Sequence, residues 1–370
     1  MSKENTIKNY GKSIRTKLLN VAKKEDVFHQ TILTRYFQER LLYRMSQTRY
    51  RSNFYLKGGA LMYAYEKFAA RPALDIDFLG NNISNEGATI VAAFKEICSV
   101  PYEEDGVDFD IYNITAQNIT EFKDYHGIRL SIPVKMDTIS QVLTMDIGFG
   151  DVVTPKPIDL DYPVLLENLS AVSIMAYSLE TVIAEKMHAI IDLADQSSRM
   201  KDYYDLYNIL SKETYDKDIL QDAIKHTFEN RHTAYDTNTM FFRKEFTDNP
   251  QMQVRWQAFL RKITKAGDVS FQDVVAYIQE TLRPYWDKLA KEIFITKLNF
   301  QHYLGELAMA NKRPNPNEAF PNPDLPRLCY IIELLKNDYR YNQHAFAPAA
   351  QAIRGGWYIS SSLDSHAGRC

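Results

Sequence analysis

The sequence predicts an α+β protein: a mixed sheet in the first half, followed by an all-helical second half. Three observations carry this. Strand, helix and strand patterns follow one another between residues 53 and 79. Residues 126–137 then alternate with a period of two, placing Ile128, Leu130, Ile132, Val134 and Met136 on one face and Arg129, Ser131 and Lys135 on the other. From about residue 165 the apolar spacing becomes helical, clearest in Leu179–Leu193 and Arg199–Leu210.

Taken in order, residues 11–22 and 25–46 read as helices, the second on the spacing of Val27, Phe28, Ile32, Leu33, Tyr36, Phe37 and Leu41. Residues 53–57 read as a strand that ends at Gly58-Gly59, followed by a helix over 60–68 and a strand over 73–79. Further strands are expected at 107–113, 126–137 and 142–149. Helices are expected at 217–230, 251–265 and 271–296, then a proline-rich connector over 312–326, a short helix near 327–337 and a Gly- and Ser-rich tail. The division is residues 1–50 as basic helices packing on the core, 51–165 as the core, 166–300 as a helical domain, and 301–370 as an extension without a role.

The 370 residues suffice for two or three domains, and 45% hydrophobic content excludes a disordered chain. No apolar run reaches membrane-spanning length, and no signal core follows the polar N-terminus, so a cytoplasmic protein without a membrane partner is expected. The widely spaced Cys98, Cys329 and Cys370 fit a reducing compartment and argue against a disulfide framework. Net charge is −3, yet residues 1–57 hold 13 Lys or Arg against 4 Asp or Glu. That bias would suit a polyanion such as RNA, or would simply solvate a surface helix. Tyr43, Tyr50 and Tyr55 among these cations suit core packing better than base stacking.

The chemistry concentrates in Leu74-Asp75-Ile76-Asp77-Phe78. On a strand, Leu74, Ile76 and Phe78 would face the core and both carboxylates the opposite side. Two adjacent carboxylates repel one another, and a divalent cation relieves that; Mg²⁺ takes one or two protein carboxylates together with water and substrate phosphates. Asp146 repeats the pattern, set against Leu143, Met145, Ile147 and Phe149, with Gly148 and Gly150 leaving room beside it. A third carboxylate would let two ions be held about 4 Å apart. Lys57-Gly58-Gly59 before a helix would let backbone N–H groups approach phosphates.

Tyr55-Leu56-Lys57-Gly58-Gly59-Ala60-Leu61, with Arg71-Pro72-Ala73-Leu74-Asp75-Ile76-Asp77-Phe78-Leu79, resembles the signature of the AbiEii/AbiGii toxin family. Ala184-Glu185-Lys186-Met187-His188 and Arg199-Met200-Lys201-Asp202-Tyr203-Tyr204-Asp205-Leu206 resemble its second block. The resemblance covers roughly residues 50–210, and departs in having Ala73 where the family usually carries Ser or Thr. It implies a polymerase-β-like nucleotidyltransferase core, and a toxin of a toxin–antitoxin pair used in phage defence, with a cognate antitoxin. It implies that Asp75, Asp77 and Asp146 bind Mg²⁺, and that Gly58 and Gly59, with the adjoining Lys57, hold the triphosphate. Lys186 would reach the triphosphate from the helical domain, and Arg199, Lys201 and Asp202 would line the nucleotide cleft. The implied reaction transfers NMP from an NTP to an acceptor hydroxyl, for instance at a tRNA 3′ end.

Competing readings stand beside it. The acceptor could be a protein or small molecule, the transferred group could be phosphate, or the fold could persist as a non-catalytic nucleotide- or RNA-binding module. Helical salt bridges explain part of the second block, with Lys201 and Asp205 four apart and Arg199 and Asp202 three apart. Gly11-Lys12-Ser13 mimics a P-loop end, but Thr6 stands where a glycine is required. Glu185-x-x-His188 and Glu229-x-x-His232 have di-iron spacing but lack two further glutamates on separate helices, and His188 reads better as a packed histidine.

Overall fold

The computed structural model describes residues 9–122, 125–196, 198–235, 239–263 and 269–309. Two helices open the chain, α1 (Tyr10–Lys24) and α2 (His29–Ser46). The sheet region follows: β1 (Phe54–Lys57), α3 (Gly58–Glu66), β2 (Asp75–Gly80), α4 (Gly87–Cys98), β3 (Asp108–Phe109), β4 (Thr115–Phe122), β5 (Tyr125–Met136), β6 (Ile139–Phe149), β7 (Ile158–Tyr162) and β8 (Val172–Ala176). Helices complete it: α5 (Leu179–Leu193), α6 (Met200–Lys212), α7 (Lys217–Asn230), α8 (Lys244–Thr247), α9 (Pro250–Leu260) and α10 (Phe271–Met309).

The strands run in the order β3-β5-β6-β2-β1-β8-β7, with β4 also on β5. The sheet is mixed, since β2 pairs β6 and β1 pairs β8 in parallel while the other pairs are antiparallel. The alternation on β5 is realised: Ile128, Leu130, Ile132, Val134 and Met136 are all buried, as are Leu143, Met145 and Ile147 opposite them on β6. Leu74, expected inside, is exposed, because the strand begins one residue later at Asp75. The expected strand over 107–113 shrinks to Asp108–Phe109, and the stretch after it forms the unanticipated β4.

The boundary expected at residue 165 cuts through the sheet. β7 lies before it and β8 after it, yet the two pair with each other, and β8 also pairs with β1. Helical structure therefore takes over at Leu179, where Ser178 caps α5 by accepting from Thr181 N–H. α7 and α9 carry similar caps, Asp216 and Asn249. α9 stops at Leu260, short of the expected 265, and α10 runs through Pro284 to Met309. The expected connector over 312–326 and the helix near 327–337 lie outside the described residues. No described helix is long and apolar enough to cross a membrane.

The N-terminal basic bias is partly internal. Arg35, Arg40 and Arg44 on α2 are buried, with Arg40 paired to Glu39 and Arg44 to Asp105. Arg35 donates to the Ala70 carbonyl and lies over the Tyr63 ring. These three cannot meet RNA. Among the described residues, the exposed cations of this region are Lys12, Arg15, Lys17, Lys23 and Lys24 on α1, and Arg49, which pairs with Glu96. Gly11 sits inside α1 against Asp137, which disposes of the P-loop mimic.

Candidate active site

Residues paired across a sheet share a face. Lys57 on β1 pairs with Asp77 on β2, Asp77 with Asp146 on β6, and Asp146 with Arg129 on β5. One row across four strands therefore reads Lys57, Asp77, Asp146, Arg129, two carboxylates flanked by two cations. Asp75 lies two residues from Asp77 on the same face, beside Thr144. The row floors a cleft of about 520 Å³ whose other wall is helical. Of the expected site residues, Lys57, Gly58, Gly59, Asp77, Asp146, Lys186, Arg199, Lys201 and Asp202 all line it. Asp75 is not among the lining; it is exposed at the rim.

β1 ends where α3 begins, and Gly58 makes the turn with φ +67°. That backbone suits glycine, and a Cβ would also overlap the Asp77 carboxylate. At Gly59 a Cβ would crowd Ala73. The two glycines thus let the N-terminus of α3 close directly on Asp77.

The carboxylates are held as anions at a cost. Partial loss of water, then the repulsion of Asp146, pushes the Asp75 carboxyl up. Burial likewise raises Asp77, against the opposing pull of Lys201 and Lys57. A dication between Asp75 and Asp77 would relieve both effects, and hard oxygen donors at the edge of a cleft roomy enough for a nucleotide fit Mg²⁺. Asp146 is engaged elsewhere: Arg129 donates from Nε and Nη2 to its two oxygens at 2.7 and 2.6 Å. Among the described residues no three His, Cys, Asp or Glu converge to hold a metal. Asp75, Asp77 and Asp146 share one face of β2 and β6, with Asp146 held by Arg129, and neither Glu-x-x-His pair joins a metal cluster among the described residues.

The expected cations divide by availability. Lys186 is buried and donates to Asp202 at 3.1 Å and Asp205 at 2.7 Å. Arg199 is half-exposed and donates to Asp202 at 2.6 Å. Burial would raise Asp202, but Lys186 and Arg199 hold it down at about 2. Lys201 is exposed, and its charge is felt at both Asp75 and Asp77. The ladder from Lys201 to Asp205 does not form. Asp205 is buried and faces the other way, taking Lys186 and a two-pronged contact from Arg71 at 2.9 Å per bond.

Lys57 belongs to a second network. Its Nζ donates to Asp151 at 3.0 Å and stands 3.8 Å from Glu185. Arg231 donates to the same Asp151 at 2.8 Å and lies 3.2 Å from Glu185. Burial would raise Asp151, but Lys57 and Arg231 together hold it far below the usual carboxylate range. Burial lifts Glu185 to about 7. His188 is packed, as expected, bonding Thr233 at 2.7 Å. Burial and then Arg231 lower it to about 3.

Sequence patterns assign no nucleotide-site role to Arg71, Arg129, Asp151, Tyr177, Glu185 or Arg231. For Arg129 a signal existed. The two-residue turn at Asp137-Thr138 sets the hairpin register, so counting back from it puts Arg129 opposite Asp146. The others meet through pairings that no local pattern encodes.

No curated protein matches the chain in sequence. Among solved structures, JHP933 from Helicobacter pylori is similar at 15% identity, covering 75% of this chain and 98% of its own, with a TM-score of 0.42. A candidate nucleotidyltransferase from H. pylori is similar at 14% identity, covering 72% of this chain and 98% of its own, also at 0.42. The profile of the nucleotidyl transferase AbiEii toxin family, type IV toxin–antitoxin system, matches residues 40–290. That span runs from α2 to α10 and takes in every residue of the charged row and both walls of the cleft, and the chain belongs to the AbiEii nucleotidyltransferase toxin family.

Proposed function

We propose that the chain binds an NTP with Mg²⁺ in this cleft and transfers its NMP to an acceptor hydroxyl, with a tRNA 3′ end as the favoured acceptor. The observation that carries the reading is the row Lys57–Asp77–Asp146 with the Gly58-Gly59 turn closing on it. Asp75 and Asp77 would hold the ion. When bound, it neutralises phosphate charge and makes the α-phosphorus easier to attack. The backbone N–H groups at the start of α3 face the phosphates, as helix N-termini do. Lys201 and Arg199 add positive charge at the mouth, and Lys186, braced by Asp202 and Asp205, orients the helical wall. Residues 166–300, less β8, act as the closing half. Positioning and electrostatics, with little covalent work for the protein, are what such transfers need.

The RNA acceptor rests on family membership and on the exposed α1 cations. α1 packs beside the β5–β6 turn, with Arg15 bonding Thr138 at 2.8 Å. Arg129 lies eight residues back along β5, roughly 27 Å away at strand rise. Those cations would therefore grip an RNA body rather than its reacting end. A cognate antitoxin and a role in phage defence belong to the same reading, in the cytoplasm.

The test incubates the chain with Mg²⁺, each labelled NTP and total tRNA, beside Asp75→Ala/Asp77→Ala. Label on tRNA with the wild type alone supports the reading and names the nucleotide. Label on protein or a small molecule moves the acceptor. Equal inertness without nucleotide binding in either chain would refute the Asp-x-Asp reading and leave a non-catalytic RNA-binding module.

A further inference from the structure

The two-ion arrangement needs Asp146 free to ligate, and Arg129 already holds it. We propose that Arg129 is a fixed positive charge standing in for the second metal ion, so that the protein–nucleotide complex contains a single divalent cation, on Asp75 and Asp77. The inference rests on the reading of the site given above and refines it.

The register makes the arrangement specific. Asp77 and Asp146 are neighbours on β2 and β6, and Arg129 is the next residue in the row, on the far side of Asp146 from Asp77. Its backbone is fixed in mid-sheet, paired to Gln117 on β4 as well as to Asp146. Its flanking residues Ile128 and Leu130 are 1% and 0% exposed, which fixes the backbone from which the 43%-exposed Arg129 side chain reaches Asp146. The fork engages both carboxylate oxygens at once, at 2.7 and 2.6 Å, which is the planar match that guanidinium makes with carboxylate and ammonium cannot. A second dication on Asp146 would sit against a like charge that no accessible pH removes. Arg129 keeps N–H donors beyond the two it spends on Asp146, and it lines the cleft, so it can also meet charge developing on the reacting phosphate.

The experiment counts ions directly. The full chain, saturated with a non-hydrolysable NTP analogue, is titrated with Mn²⁺ and the bound ion counted by electron paramagnetic resonance, for wild type, Arg129→Gln and Arg129→Gln/Asp146→Asn. The expected result is one Mn²⁺ per chain in the wild type, two in Arg129→Gln with the paramagnetic coupling of a close pair, and one again in the double variant. Two ions in the wild type overturn the inference, and that measurement does not depend on any variant folding. So does a single ion in an Arg129→Gln chain that melts as the wild type does. A wild type that binds the analogue but no Mn²⁺ overturns the metal-dependent reading itself, a result distinct from both.

Discussion

Gly58 tolerates no side chain, because its φ is left-handed and the Asp77 carboxylate occupies the space a Cβ would take. Gly58→Ala should therefore displace Asp77 and abolish transfer, while strain of about 1–3 kcal/mol lowers the melting temperature only modestly. Lys201 is different, an exposed cation whose work is electrostatic. Lys201→Ala should leave stability within about 0.5 kcal/mol and weaken NTP binding about 10–100-fold, the worth of one charge-assisted bond. Equilibrium binding of a fluorescent NTP separates the two, and unchanged affinity would remove Lys201 from the phosphate site. His188 offers a pH test. Its folded pKa, about 3, lies below the ordinary value, so the unfolded chain binds the proton first. Its contribution to stability is complete above the unfolded value near 6.5 and is lost as pH falls from there towards about 3, at up to about 1.4 kcal/mol per pH unit. Chemical denaturation of His188→Gln over that window should show a shallower decline than the wild type; equal slopes would refute the assignment.

At the scale of elements, α5 carries the helical wall and begins at a hydrogen-bonded knot. Ser178 caps the helix and donates to the Thr154 carbonyl at 2.7 Å, and Thr181 Oγ1 donates to that same carbonyl at 3.0 Å. Ser178→Ala should cost about 0.5–2 kcal/mol in urea unfolding, the range for a lost N-cap. The β5–β6 hairpin was readable down to its faces, because the alternation is strict and the turn has two residues. β4, β7 and β8 were not. Each is short or uneven in pattern; β4 and β7 pair with the next strand along the chain, and β8 also pairs with the distant β1, Ala176 lying beside Leu56. The limits of α5 and α7 were read without error because cap, apolar stripe and stop agree there. α9 ended early because the apolar spacing runs past its last hydrogen-bonded turn.

Across the whole molecule, Asp205 joins the two halves. It lies on α6, is 1% exposed, and accepts from Arg71 before the Asp-x-Asp strand and from Lys186 on α5. Asp205→Asn leaves two buried cations undercompensated and should cost about 3–5 kcal/mol of stability. Loss of transfer at temperatures where the variant remains folded would separate misalignment of the halves from unfolding. If RNA is the acceptor, reversing Lys12, Lys17 and Lys23 together should flatten the dependence of log affinity on log salt by about 2–3 units. An unchanged slope would take α1 out of the RNA contact.

The sequence by itself determined the carboxylate strand, the glycine turn, the later Asp strand and the helical second block, and hence the family. These are local patterns, in which periods of two and 3.6 say which side chains share a face. Tertiary structure alone decided what those residues touch. Strand order set Asp146 between Asp77 and Arg129, and buried three N-terminal arginines that composition had offered to RNA. It also turned Asp205 from a surface ladder into a buried link between halves. Charge sums and helical spacing record which groups are present and on which face. Their partners depend on pairings between segments tens of residues apart, which hydrogen bonding across the sheet and burial in the core select.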